Sequence, residues 1–244
     1  MLLGSIVVMG LYNFLISQTR TYTVQDEIGE MQQNLRVAME KISRDLQMSG
    51  FGKPFWATIS GVNLGSPPPF SVRITSGKTI DIVGCLDPAA ATLNTAVVSN
   101  STSIVLRGGE TGKFNTTTKA DISIEGRENA KITAISGDTL TIDRDPGFGS
   151  NEGTLYSYPT NSKVYLVHYV TYTVDTSSNP PALVMDEHQG SGNQPIATNI
   201  IDMSTSISGN LVTVTLTGRT RNADRTTGKY GTAQLTNKIR LRNP

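Results

Sequence analysis

A chain of 244 residues can bury one good core, or carry a long helix beside a moderate domain, and is too large to be a fragment unable to fold. Its 37% hydrophobic and 17% charged residues, with abundant Gly, Thr and Ser, favour a β-rich chain over a helical cytosolic enzyme. A formal net charge of +1 provides no global field to gather nucleic acid, and a single cysteine, Cys85, excludes an intramolecular disulfide.

The run MLLGSIVVMGLYNFLI, residues 1–16, holds no charged side chain; the first is Arg20. It reads as a membrane-type segment carried by Leu2, Ile6, Val7, Leu11, Phe14 and Leu15. As a helix it spans roughly 24 Å at ~1.5 Å per residue, short of the roughly 30 Å hydrocarbon core. The shortfall predicts a partial anchor, with roughly a dozen apolar residues expected ahead of Met1. The basic n-region and cleavage site of a secretory signal are not found in it.

Helical periodicity continues from residue 21. Val24, Ile28, Met31, Leu35, Ala38, Met39, Ile42 and Leu46 fall within an arc of about 100° when each residue advances ~100° around the axis. Glu30, Gln33, Arg36, Glu40, Lys41 and Arg44 lie away from this stripe. The pairs Arg36/Glu40, Glu40/Arg44 and Lys41/Asp45 have the i,i+4 spacing of a solvated face. Gly50 suits a left-handed cap and Pro54 blocks continuation, so the helix is predicted to end near Ser49. A rod about 70 Å long results at ~1.5 Å per residue, apolar in its first third and amphipathic beyond.

Downstream the period shortens to two. FSVRI (70–74), KTIDIVG (78–84), TSIVLRG (102–108), KVYLVHYVTYTVD (163–175), LVTVTLTGRT (211–220) and TNKIRLRN (236–243) are predicted strands. Residues 132–143 are predicted to form a hairpin turning at Ser136-Gly137-Asp138. In 163–175 both faces are apolar, the mark of a central strand. Segments 65–69, 145–153 and 177–181 are loops. The expected class is α+β, a long N-terminal helix packed on an antiparallel β-sheet, with residues 1–50 as a membrane and assembly helix and 51–244 as a β-rich globular domain.

Residues 18–52, QTRTYTVQDEIGEMQQNLRVAMEKISRDLQMSGFG, resemble the first helix of the PilW-type minor pilins of type IV pili, relatives of the J-type pseudopilins of type II secretion. The close of the chain, TLTGRTRNADRTTGKYGTAQLTNKIRLRN, resembles that family's C-terminal end. Between them, VYLVHYVTYTVD, ALVMDE and PIATNII follow its strand order. The resemblance implies a structural subunit that helps to initiate or cap a pilus. It implies an inner-membrane anchor before assembly, a periplasmic globular domain, and then a place in the surface filament. Its implied partners are other minor pilins and the major pilin, met through the helix. A tip-exposed adhesion module and a minor pseudopilin of type II secretion are the alternative expectations. The family's basic leader and Phe-Thr-Leu-Ile-Glu motif do not occur here; Gly4 is followed by Ser-Ile-Val-Val-Met.

No catalytic constellation is expected. His168 and His188 are the only histidines, and no Gly-x-Ser-x-Gly or His-Glu-x-x-His accompanies them. His168 sits in an apolar strand and reads as a hydrogen-bonded core residue. Asp186, Glu187 and His188 are adjacent on a strand and would point to opposite faces, which disfavours shared metal ligation. Asp143, Asp145, Asn151 and Glu152 surround a glycine-rich loop and are the one oxygen set suited to calcium, without EF-hand spacing. Gly147-Phe148-Gly149 is too short for a dinucleotide fingerprint, and no cofactor is expected. Arg219, Arg221, Arg225, Lys229, Lys238, Arg240 and Arg242 form the main basic set. The alternation of Lys238, Arg240 and Arg242 with Ile239 and Leu241 reads as a solvated strand face rather than a DNA surface. Cys85 reads as a small buried hydrophobe.

Overall fold

One helix, α1 (Leu2–Met48), opens the chain, and strands follow to its end. They are β1 (Thr58–Ile59), β2 (Val62–Asn63), β3 (Val72–Thr75), β4 (Thr79–Gly84), β5 (Ala91–Thr92), β6 (Ser103–Val105), β7 (Asp121–Ile124) and β8 (Glu128–Ser136). After these come β9 (Thr139–Asp143), β10 (Lys163–Leu166), β11 (His168–Asp175), β12 (Ala182–Asp186), β13 (Gln194–Thr198), β14 (Ile200–Ser208), β15 (Leu211–Arg219) and β16 (Thr232–Arg240). This computed structural model describes residues 2–56, 58–59, 62–64, 70–147, 149, 151–224 and 227–243. The expected 65–69 loop, Arg225, and the side chains of Leu2, Ile6 and Val7 lie outside the described residues.

The strands pair antiparallel in three main sheets, ordered β5-β10-β7-β8-β9-β6, β13-β12-β11-β4-β3 and β14-β15-β16, with β1-β2 a small extra pair. The α+β expectation is thereby corrected. Among the described residues 86 lie in strands against 47 in the helix, and the sheets stack in a sandwich-like arrangement rather than forming one sheet under a helix. The missed strands have physical reasons. β7 is only four residues, Asp-Ile-Ser-Ile, and although polar and apolar residues alternate along it all four are buried, the polar face included. Pro195 lies inside β13, where proline argues against a strand, and β13 is accordingly an edge.

The helix also departs from its expected character. Among the described residues no helix is long and apolar enough to cross a membrane. Gly4, Ser5, Gly10 and Asn13 dilute the N-terminal run, and Ser17, Gln18, Thr19 and Arg20 end it. The stripe divides as well. Met31, Leu35, Ala38, Met39, Ile42 and Leu46 are buried against β4, β13, β15 and β16, in one core with Ile80, Ile82, Tyr172 and Val214. Val24 and Ile28 are exposed, because the helix has by then passed the end of the three-stranded sheet.

Gly218 of β15 marks the closest approach. A Cβ there would lie 3.1 Å from Leu35 Cγ and 3.2 Å from Met31 Cγ, so any side chain would force Leu35 and Met31 to shift by a few tenths of an ångström. At the other end Gly50, at φ +75°, terminates the helix, and its N–H donates to the Val83 carbonyl at 2.8 Å. A Cβ on Gly50 would meet the Asn243 carbonyl oxygen, which leaves glycine no replacement.

The expected single strand 163–175 is two strands in different sheets. The break is Val167, whose N–H goes to the Asp121 carbonyl at 2.9 Å. Val164 and Leu166 belong to the core of the six-stranded sheet, and Val170, Tyr172 and Val174 to the core under α1. Tyr165, Val167 and Tyr169 face a third cluster with Ile59, Val83 and Cys85. Both halves are internal strands, so the central position expected of this segment holds twice over.

Replacing Gly218 by Val should overpack the helix–sheet contact and lower unfolding free energy by about 1–3 kcal/mol. Urea denaturation measures it directly.

Candidate assembly interface

Met9, Leu11, Tyr12, Phe14, Leu15, Tyr22, Val24 and Ile28 are large apolar residues of α1 left exposed; Leu15 stays 62% exposed and Val24 40%. They precede Met31, where burial begins. On one side this stretch faces the 220–231 connection between β15 and β16 across a groove of about 1010 Å³. Tyr12, Leu15, Val24 and Ile28 line the helix wall, and Thr220, Ala223 and Gly231 the other.

Polar ties hold the groove open at a set width. Arg20 Nη2 pairs with Asp224 Oδ2 at 3.0 Å. Asn222 donates its side-chain N–H to Glu27 Oε1 at 2.7 Å and its backbone N–H to Glu27 Oε2 at 3.4 Å. Arg20 is exposed and both acids are half-buried at the surface, so each tie contributes at most about 1 kcal/mol and acts chiefly as a spacer. Arg219 stacks its guanidinium 4.3 Å from the Tyr230 ring. Lys238, Arg240 and Arg242 are exposed while Ile239 and Leu241 are buried, as the alternation predicts.

The Lys41/Asp45 pair needs correction. The ion pair forms at 3.1 Å, yet the Asp45 side chain is buried rather than solvated. Tyr172 of β11 donates its hydroxyl hydrogen to Asp45 Oδ2, so the carboxylate rivets α1 to the central strand. Burial, with the adjacent carboxylate, pushes the Tyr172 phenol far above its ordinary range. The i,i+4 pattern alone could not reveal this, because Tyr172 lies 127 positions away in the chain.

His168 is buried as expected, with Nε2 3.4 Å from Asp87 Oδ2. Desolvation lowers its pKa below the ordinary 6.5, outweighing the opposing pull of Asp87. His188 is not a strand residue. β12 ends at Asp186 and His188 takes φ +55°, folding its ring onto Tyr169 with centroids 4.3 Å apart. Its Nε2 lies 2.9 Å from Thr171 Oγ1, and that hydroxyl donates to Asp81 Oδ1 at 2.8 Å. Because Thr171 gives its single hydrogen to Asp81, His188 donates at Nε2 and cannot serve as a base toward Thr171. The arrangement clips the loop after β12 to the sheet.

The loop carboxylates are engaged locally. Asp143 Oδ1 accepts from the Asp145 and Glu152 amides at 3.1 Å each, Asp145 Oδ1 from the Gly147 amide at 3.2 Å, and Glu152 pairs with Arg144. Asn151 turns away to Thr133 Oγ1 at 3.3 Å. Among the described residues no three His, Cys, Asp or Glu side chains converge as metal ligands. Cys85 is buried, and desolvation raises its thiol to about 12. No protein-family model, curated protein or solved structure matches the chain.

The depressed His168 pKa fixes a sign. The unfolded chain takes up this proton near pH 6.5 and the folded chain only at lower pH, so stability is full above that value and falls as pH drops through it. Unfolding free energy should decline from pH 7 to pH 5 at up to about 1.4 kcal/mol per pH unit, and His168→Gln should flatten this limb in chemical denaturation.

Proposed function

We propose that the chain is a structural subunit of the PilW-type minor pilin kind, which helps to initiate or cap a type IV pilus and performs no catalysis. One observation carries the reading. Among the described residues the helix is packed in the core from Met31 onward, and ahead of that it presents large exposed apolar side chains beside described residues of the β15–β16 connection such as Thr220, Ala223 and Gly231. An isolated helical stretch of this length is marginal in water and gains its stability from tertiary partners. Neighbouring subunit helices, or lipid before assembly, are surfaces that would cover it at little solvation cost.

On this reading the partners are other minor pilins and the major pilin, engaged through residues 9–28. The chain waits at the inner membrane with its sheets in the periplasm and then enters the surface filament. The partition of the stripe changes which residues can do this. Leu35 and Ile42 are core residues of the folded subunit, so substituting them would unfold the chain rather than report on assembly. Leu11, Phe14 and Leu15 are exposed and can be changed without that cost.

The double substitution Leu11→Glu and Leu15→Glu, made in the native host, should reduce the chain's amount in sheared surface filaments at least ten-fold, read by immunoblot. The midpoint of urea unfolding should not change. Undiminished incorporation of this variant would sink the assembly reading.

A further inference from the structure

A second, shallow cleft of about 200 Å³ opens between Phe55, Arg127, Arg144, Leu155 and Tyr156, with no residue of α1 among its walls. Its base is rigid. Glu128 is buried at the start of β8, and its carboxylate accepts hydrogen bonds from the Leu155 amide, from the Tyr156 amide at 3.3 Å and from the Tyr158 hydroxyl at 2.8 Å. One side chain thereby fixes the 155–158 segment against the six-stranded sheet.

The rim is apolar and aromatic. Phe55 is 50% exposed and Leu155 53%. Phe55 stands edge-on to Trp56 with centroids 5.2 Å apart, and Trp56 is itself anchored by its Nε1–H on Asp121 at 2.9 Å. Arg127 lays its guanidinium 3.6 Å from the Tyr156 ring centroid and has no carboxylate partner among the described residues. Arg127 is exposed, so its N–H donors are open to solvent near two exposed apolar side chains. Arg144 is taken up by Glu152.

These features select a ligand chemistry. The formal charges of Arg127 and Arg144 are balanced in sum by those of Glu128 and Glu152, although only Arg144 is directly paired, so the cleft has no net charge with which to draw an anion. An apolar, partly aromatic ledge beside a fork of free donors suits a ring with C–H faces and hydroxyl oxygens. The volume is below the ~300–1,000 Å³ of pockets for drug-sized ligands, so it takes a single ring rather than an extended molecule. We propose that the cleft binds a neutral saccharide, one pyranose ring resting its C–H face on Phe55 and Leu155 while its hydroxyl oxygens accept hydrogen bonds from Arg127. This site is independent of the assembly reading and stands or falls separately from it.

The test presents the full chain to an immobilised panel of neutral hexose and N-acetylhexosamine oligosaccharides, with uronate-containing oligosaccharides as the charged comparison. Retention of neutral members is expected, weakened at least ten-fold by Phe55→Ala and by Arg127→Gln, with unfolding midpoints unchanged. Should Phe55→Ala unfold, Arg127→Gln alone decides, since its side chain is exposed. Three results overturn the proposal: no retention of any panel member, retention confined to the uronates, or retention that neither variant weakens.

Discussion

A helix of 47 residues needs lateral support along its length, and α1 receives it over little more than one third, from Met31 to Leu46. Within that stretch five large apolar side chains and Ala38 enter the core, each large one contributing about 1.5–3 kcal/mol of burial as an upper estimate. The three-stranded sheet and the five-stranded sheet both contribute walls to this core, so the contact also joins sheets to each other. Gly218 sets how close the helix may come, and Asp45 on Tyr172 sets its rotation. Remove that contact, and neither the position of the sheets nor the direction of the free helical arm is defined.

A helical arm that is to dock on a partner needs a fixed direction. An apolar helix that emerged from a flexible joint would lose its orientation and pay an entropic penalty on docking. Here the arm continues, without a break in secondary structure, from a segment held in a packed core. The ties from Arg20 and Glu27 to the 220–231 connection steady its base without covering its face. The subunit thus separates two tasks along one helix: the C-terminal half belongs to the fold and the N-terminal half to whatever meets it.

Much of this organisation was legible in the sequence. The 3.6-residue period marked the helix to its Gly50 end, and period-two alternation found β15 and β16, each with one wet face, but not the nine-residue β14 that pairs with β15. Legibility failed where a strand is very short and its polar face is also buried, as in β7, and where one continuous run serves two sheets, as at Val167. It failed also at the stripe, since periodicity shows that Val24 and Leu35 share a face but not that the sheet ends between them. Asp45 looked like half of a surface pair because its partner Tyr172 is distant in the chain. The aromatic and arginine cleft was invisible for the same reason: Phe55, Arg127 and Leu155 come from three separate segments that only the fold brings together.

Hydrogen exchange followed by mass spectrometry, on the full chain in dilute solution, tests the central claim most directly. Amides of residues 31–48 should be protected to the level of the surrounding sheets, while those of residues 9–28 should exchange orders of magnitude faster, as in a helix without tertiary partners. Equal protection along the whole of α1 would contradict the division of the helix. Fast exchange in residues 31–48 would contradict the packed core from which the arm is directed.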